Sequence, residues 1–136
     1  MPVDGSKYTE RTLAYVAAHD EWLGRQHRFT VLTVVPYMRP LEAALSSPET
    51  IRRGYLQEQE AVLGPVRAFF ARQRLDAEFV GETGDPAERI AEYARKGQHD
   101  LIFLGSQGHG QLARLLMGSV ATKVIATTQA PVLLVR

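Results

Sequence analysis

The sequence predicts one α/β domain over residues 1–136, a five-stranded parallel sheet in the order 3-2-1-4-5 with helices on both faces. Three observations carry this. Apolar, β-prone runs alternate with stretches of helical periodicity along the whole chain, the pattern of parallel strands joined by helical crossovers. Two of those runs, 29–35 and 101–104, are nearly continuous rather than alternating, as strands buried on both faces are. The chain of 136 residues, 45% hydrophobic and 23% charged, has the size and balance of a single globular domain.

The elements follow in order. Met1-Pro2-Val3 reads as the stub of a first strand, because only these residues precede the turn signal Asp4-Gly5. Leu13, Val16, Ala17 and Leu23 recur at helical spacing over residues 7–23, with Ser6 as cap and Gly24 just past the end. Phe29 to Val35 is the second strand and stops at Pro36. Residues 37–48, with two prolines and two serines, read as a long loop. From Glu49 to about Arg74 the spacing of Ile51, Tyr55, Val62, Val66, Phe69 and Phe70 is helical again, and Gly64-Pro65 is expected to kink or split that helix. A short third strand is expected over 76–81. Asp85, Pro86 and Glu88 then form a capping box opening a helix that ends near Gly97. The fourth strand is 101–104; a last helix begins at Ser119, and Pro131 leads into the fifth strand, 132–135.

Composition excludes several classes. Sixteen Lys and Arg against fifteen Asp and Glu leave a net charge of +1, with no basic stripe, so no nucleic-acid partner is expected. The absence of cysteine removes disulfides and thiolate metal sites and fits a reducing compartment. No apolar run reaches the ~18 residues of a membrane span, and the first residues lack a signal-peptide pattern. No membrane partner and a cytoplasmic location are expected.

In a doubly wound sheet, ligands bind beyond the carboxyl ends of the strands where the strand order reverses. Here that crevice lies between the first and fourth strands, which end at Asp4 and Gly105. After Gly105 come Gly108 and Gly110, three glycines in six residues, which allow positive φ and close approach of a ligand to backbone N–H groups, an anion-binding nest. Gly118-Ser119 then opens a helix whose unpaired N–H groups and dipole favour a phosphate, and a Cβ at Gly118 is expected to block that approach. No Asp or Glu occurs after Asp100, whereas Arg114 and Lys123 are present. The P-loop signature is missing, and Gly108-His109-Gly110 fails as a dinucleotide fingerprint because no acidic residue follows to hold a ribose. His109 has no partner at catalytic spacing; no catalytic residue and no protein metal site are assigned. His19, His27 and His99 read as surface residues, and Trp22 as a packing residue.

The joint spacing Gly105-x-x-Gly108, nine residues, Gly118-Ser119 resembles the ATP-binding motif of the universal stress proteins. The likeness extends to Val3-Asp4-Gly5-Ser6, Gly84-Asp85-Pro86 and Ala130-Pro131-Val132, and so to nearly the whole chain. The resemblance implies a Rossmann-like fold of the adenine-nucleotide α-hydrolase type. It implies a nucleotide site formed by Val3, Asp4, Val34, Gly105, Gly108, Gly118, Ser119 and Val120. It further implies ATP as cofactor, with Mg2+ bound through the phosphates.

Three functional readings follow. The first is a nucleotide-dependent regulatory module in stress response. The second is an enzyme with slow ATP hydrolysis, or autophosphorylation on Ser106, Ser119 or Thr122. The third is an interaction protein without nucleotide, which the short first strand favours. The apolar run 132–135, at the sheet edge in the predicted order, is expected to join two copies as a homodimer, and the resemblance points the same way.

Overall fold

The computed structural model describes residues 1–109 and 117–136. Gly110 and Arg114 of the sequence analysis lie outside the described residues.

Ser6 opens α1 (Lys7–Ala18), its hydroxyl accepting from the Tyr8 N–H at 3.2 Å. The helix expected to run on to residue 23 stops at His19, where φ −126° and ψ 41° are not helical, and a separate turn α2 (Asp20–Leu23) follows. The His19 ring stacks on Tyr15 at 3.9 Å between centroids, an aromatic contact made one turn before the break. Strand β1 (Phe29–Val35) ends at Pro36 as expected. The predicted loop holds a short helix, α3 (Pro40–Ala44).

Ser47 caps α4 (Pro48–Gln73), which runs unbroken through Pro65 for 26 residues. The expected split does not occur. Leu63 and Val66 flank the proline and Phe70 lies a turn further on, all three buried, and this packing offsets the lost hydrogen bond.

Strand β2 (Ala77–Thr83) pairs in parallel with β1, Phe29 opposite Ala77 through Val35 opposite Thr83. Asp85 caps α5 (Pro86–Lys96) by accepting the Glu88 N–H at 2.9 Å; Glu88's own carboxylate turns to Lys123, so the capping box is half made. Strand β3 (Ile102–Gly105), helix α6 (Ser119–Thr127) and strand β4 (Val132–Val135) complete the order, with β3 and β4 parallel.

Neighbouring residues of β1 face opposite ways: Val31 packs with Leu63, Val66 and Phe70 of α4, whereas Leu32 packs with Ala87, Ile90 and Ala94 of α5. On β3, Phe103 meets Val16 of α1, while Ile102 and Leu104 meet Ala121 and Val124 of α6. Helices therefore cover both faces.

The continuous five-stranded sheet is not formed among the described residues. They contain two two-stranded sheets, β1-β2 and β3-β4, and a single parallel bridge from Pro2 to Leu32. In that bridge Leu32 donates to Met1 O (3.0 Å) and accepts from Val3 N (2.9 Å), so Pro2's own backbone polar groups point away from β1. A proline has no N–H to offer a strand on that side, so the stub cannot serve as a full central strand. A gap of about 20 Å³ lined by Pro2, Leu32, Leu101 and Ile102, among others, lies there instead.

Candidate functional site

Asp4 follows the stub and sits in a turn held by four hydrogen bonds. Its Oδ1 accepts from the Ser6 N–H and from the Thr9 hydroxyl, both at 3.0 Å. The Thr9 Oγ1 in turn accepts from the N–H groups of Asp4 (3.1 Å) and Gly5 (3.2 Å). Gly5 has φ +75°, which a side chain rarely adopts and this reversal requires. With Oδ1 committed, Oδ2 faces Gly108, and a Cβ at 108 would strike it.

The described glycines of the motif do not use the positive φ open to them. Positive φ among the described glycines occurs only at Gly5 and Gly84, not at Gly105, Gly108 or Gly118. Their need is close approach. A Cβ on Gly105 would lie 2.9 Å from Tyr8 Cβ on α1. One on Gly118 would lie 3.1 Å from Gln107 Cα and 3.4 Å from Ser106 O. The Gly118 N–H donates to Ser106 O at 2.7 Å, tying the start of α6 to the turn after β3. A side chain at 118 therefore presses on that turn as well as blocking whatever approaches α6.

Gly118 is the N-cap of α6 and supplies no side-chain acceptor. The first N–H to find a helical partner is that of Thr122, on Gly118 O at 3.0 Å; those of Ser119, Val120 and Ala121 precede it. At α5 the situation is opposite, since the Asp85 carboxylate satisfies and charges the helix start. Of the two neighbouring helix starts, only α6 is left to attract an anion.

A cleft of about 910 Å³ brings these parts together. Val3, Asp4, Val34, Gly105, Gly108, Gly118, Ser119 and Val120 all line it. Sequence reasoning missed the wall that Glu58, Ala61 and Val62 of α4 give the cleft, with Val62 beside Gly5. It also missed Thr9, although Ser6-x-x-Thr9 follows the Ser-x-x-polar pattern of a helix start. His109, given no role, lines the cleft and reaches Asp4 O with Nε2 at 2.7 Å, joining the turn after β3 to the turn after the stub.

Lys123 also lines the cleft, but its ammonium is held by α5, 3.2 Å from Asp85 Oδ1 and 3.1 Å from Glu88 Oε1. Those carboxylates raise its pKa, Glu88 more than Asp85. The Glu88 N–H, followed by Lys123, holds the Asp85 carboxyl below its usual range. Ser106 is only 3% exposed, which removes it as a phosphate acceptor in this conformation, while Ser119 and Thr122 are exposed. Among the described residues no group of three or more His, Cys, Asp or Glu is arranged to hold a metal ion, and no helix is long and apolar enough to cross a membrane.

The sequence profile of the universal stress protein family matches residues 1–136. The chain is 34% identical over 139 residues to the Thermus aquaticus protein named "Universal stress protein in QAH/OAS sulfhydrylase 3'region", covering 100% of this chain and 96% of that one. It is 35% identical over 105 residues to stress response protein NhaX of Bacillus subtilis (strain 168), covering 77% of this chain and 61% of NhaX. Among solved structures, universal stress protein UspA from Lactobacillus plantarum superposes with a TM-score of 0.76 at 25% identity, over 99% of this chain and 94% of that one. The fold recurs in a universal stress protein in complex with cAMP (TM-score 0.64, 19% identity, 100% and 93% covered). It recurs in one from Arabidopsis thaliana with AMP bound (0.67, 15%, 98% and 87%) and one from Archaeoglobus fulgidus in complex with dAMP (0.65, 20%, 99% and 94%).

Proposed function

This chain belongs to the universal stress protein family, and from that premise we propose that it binds an adenine nucleotide, ATP in particular, as a nucleotide-dependent module of the stress response. The observation that carries the reading is the uncapped start of α6 opening on the cleft. Anions are favoured at such a helix end, by about 0.3–2 kcal/mol each, and the cleft falls in the usual range for small-molecule sites. Val34, Val35, Ala61 and Val62 are among the apolar residues lining the cleft and suit a base. Relatives of the same fold in complex with cAMP, AMP and dAMP support the ligand class.

The parts divide as follows. Val3 and Asp4 meet the ribose, the backbone at Val34 meets the base, and Gly105, Gly108, Gly118, Ser119 and Val120 surround the phosphates. Mg2+ would supply charge neutralisation between phosphate oxygens, carried in on the nucleotide with its water. Hydrolysis stays far below the ~1–100 per second common in kinases, because the Asp4 carboxylate that faces Gly108 already has its Oδ1 engaged.

We extend the proposal to the assembly. The molecule works in the cytoplasm as a homodimer paired through the outer edge of β4, with the two β-pairs and the stub in the order 3-2-1-4-5. The test of the central reading is calorimetry with ATP, AMP and adenosine in the presence of magnesium, on protein freed of any nucleotide that co-purifies. Saturable one-site binding of ATP is expected. Protein that binds none of the three ligands, and carries none when purified, overturns it.

A further inference from the structure

Lys123 is the sole lysine or arginine among the described residues lining the cleft. It stands four residues after Ser119, so the two share one face of α6. Side chains on a helix lean back over the turn that precedes them, which brings the ammonium within reach of the first turn and its free N–H groups. Lys123 does not use that reach. Its ammonium lies on Asp85 and Glu88, the cap and the third residue of α5.

Those two pairs are weak holds. The side chains of Lys123 and Asp85 are each 45% exposed and that of Glu88 is 70% exposed, so water and salt screen both contacts. Asp85 keeps its other partner, the Glu88 N–H, whether or not Lys123 is present. A polyphosphate at α6 would offer the lysine several formal charges and bidentate-capable oxygens in a partly enclosed cleft, a stronger acceptor than two solvated carboxylates. The ammonium has two docking places, the carboxylates at the start of α5 and a ligand at the start of α6, and ligand charge decides between them.

We propose that Lys123 is the residue by which the cleft counts phosphates: a triphosphate draws its ammonium off Asp85 and Glu88, whereas a nucleoside leaves it on α5. The inference rests on the nucleotide reading above and deepens it. Ligand charge is thereby felt at the start of α5, which loses a cation when the cleft fills.

The test compares ATP, AMP and adenosine by calorimetry on the parent, on Lys123→Met, on Lys123→Arg, and on the double variant Asp85→Asn/Glu88→Gln. Asparagine caps a helix as well as aspartate, so the double variant keeps α5 while removing the competing charge. Losing one charge-assisted contact is expected to weaken ATP about tenfold in Lys123→Met and to leave adenosine unchanged. Lys123→Arg should restore most of the ATP affinity. The double variant should bind ATP about threefold more tightly than the parent, again without change for adenosine, since its lysine no longer has to leave a partner. Equal losses for ATP and adenosine in Lys123→Met would assign the residue a structural role and overturn the proposal. So would ATP affinity indifferent to Lys123. A parent that binds none of the three ligands overturns the nucleotide reading itself, an outcome distinct from either.

Discussion

Thr9 shows how much of the site depends on one buried hydroxyl. It accepts from two backbone N–H groups and donates to Asp4, and it is 6% exposed. Thr9→Val keeps the shape and removes all three bonds. It is expected to cost about 1–3 kcal/mol in urea denaturation, because the orphaned N–H groups lie in a partly closed turn. Nucleotide affinity should fall with it as Asp4 loses its anchor. Gly118→Val is expected to cost about 1–3 kcal/mol as well as abolishing ATP binding, since its side chain meets the Ser106-Gln107 turn. Ser119→Ala separates the two effects. Ser119 is exposed, so stability should hold to within about 0.5 kcal/mol while ATP affinity drops severalfold by calorimetry.

At the scale of elements, α4 and α5 make opposite uses of proline. Pro86 opens α5, where its missing N–H costs nothing, and Pro65 lies inside α4, where it removes a bond to Ala61. Pro65→Ala is expected to raise stability by about 1–3 kcal/mol, measured by chemical denaturation. Phe70, 1% exposed and edge-on to Phe29, Phe69 and Phe79, holds α4 on the sheet; Phe70→Ala should cost about 3–5 kcal/mol. The start of α5 carries a pH dependence. Asp85 is held below its usual pKa of 3.8 by the Glu88 N–H and then by Lys123. A depressed carboxyl stabilises the fold fully above its ordinary value and loses that contribution as pH falls through the lower folded value. The acid limb of the stability curve, below about pH 4, should therefore be shallower in Asp85→Asn than in the parent when unfolding is followed by circular dichroism.

For the whole molecule the outer edge of β4 decides the assembly. The register fixes which groups are free: Ile102 donates to Pro131 O and Ser106 to Val135 O, so Val132 and Leu134 turn their own N–H and C=O outward. Their side chains, however, pack inward with Ile102 and Leu104. A charge at Leu134 would injure the core along with any interface. Val132→Pro is the sharper test, since it deletes an outward donor at the first residue of the strand and leaves the β3 ladder intact. The parent is expected to sediment as a dimer at micromolar concentration and Val132→Pro as a monomer. A monomeric parent would remove the β4 interface.

The sequence by itself determined what depends on neighbours along the chain. The cap at Ser6, the cap and proline at Asp85-Pro86, the buried runs of β1 and β3, and the glycine spacing before Ser119 all act within a few residues, where periodicity and capping chemistry are decisive. The eight candidate site residues were named through the resemblance that the glycine spacing carries, and all eight line the cleft. Only the tertiary structure decided the rest. It carried α4 through Pro65, because burial on both sides outweighs a local preference. It gave the glycines a packing reason that their spacing does not show, since Tyr8, Asp4 and Gln107 are remote in sequence from the glycines they crowd or lie on a different turn. It parted the sheet at Pro2, where one missing N–H matters only once a second strand lies alongside. And it set Lys123 on Asp85 and Glu88, an encounter across some 35 residues that only the packing of α5 on α6 creates.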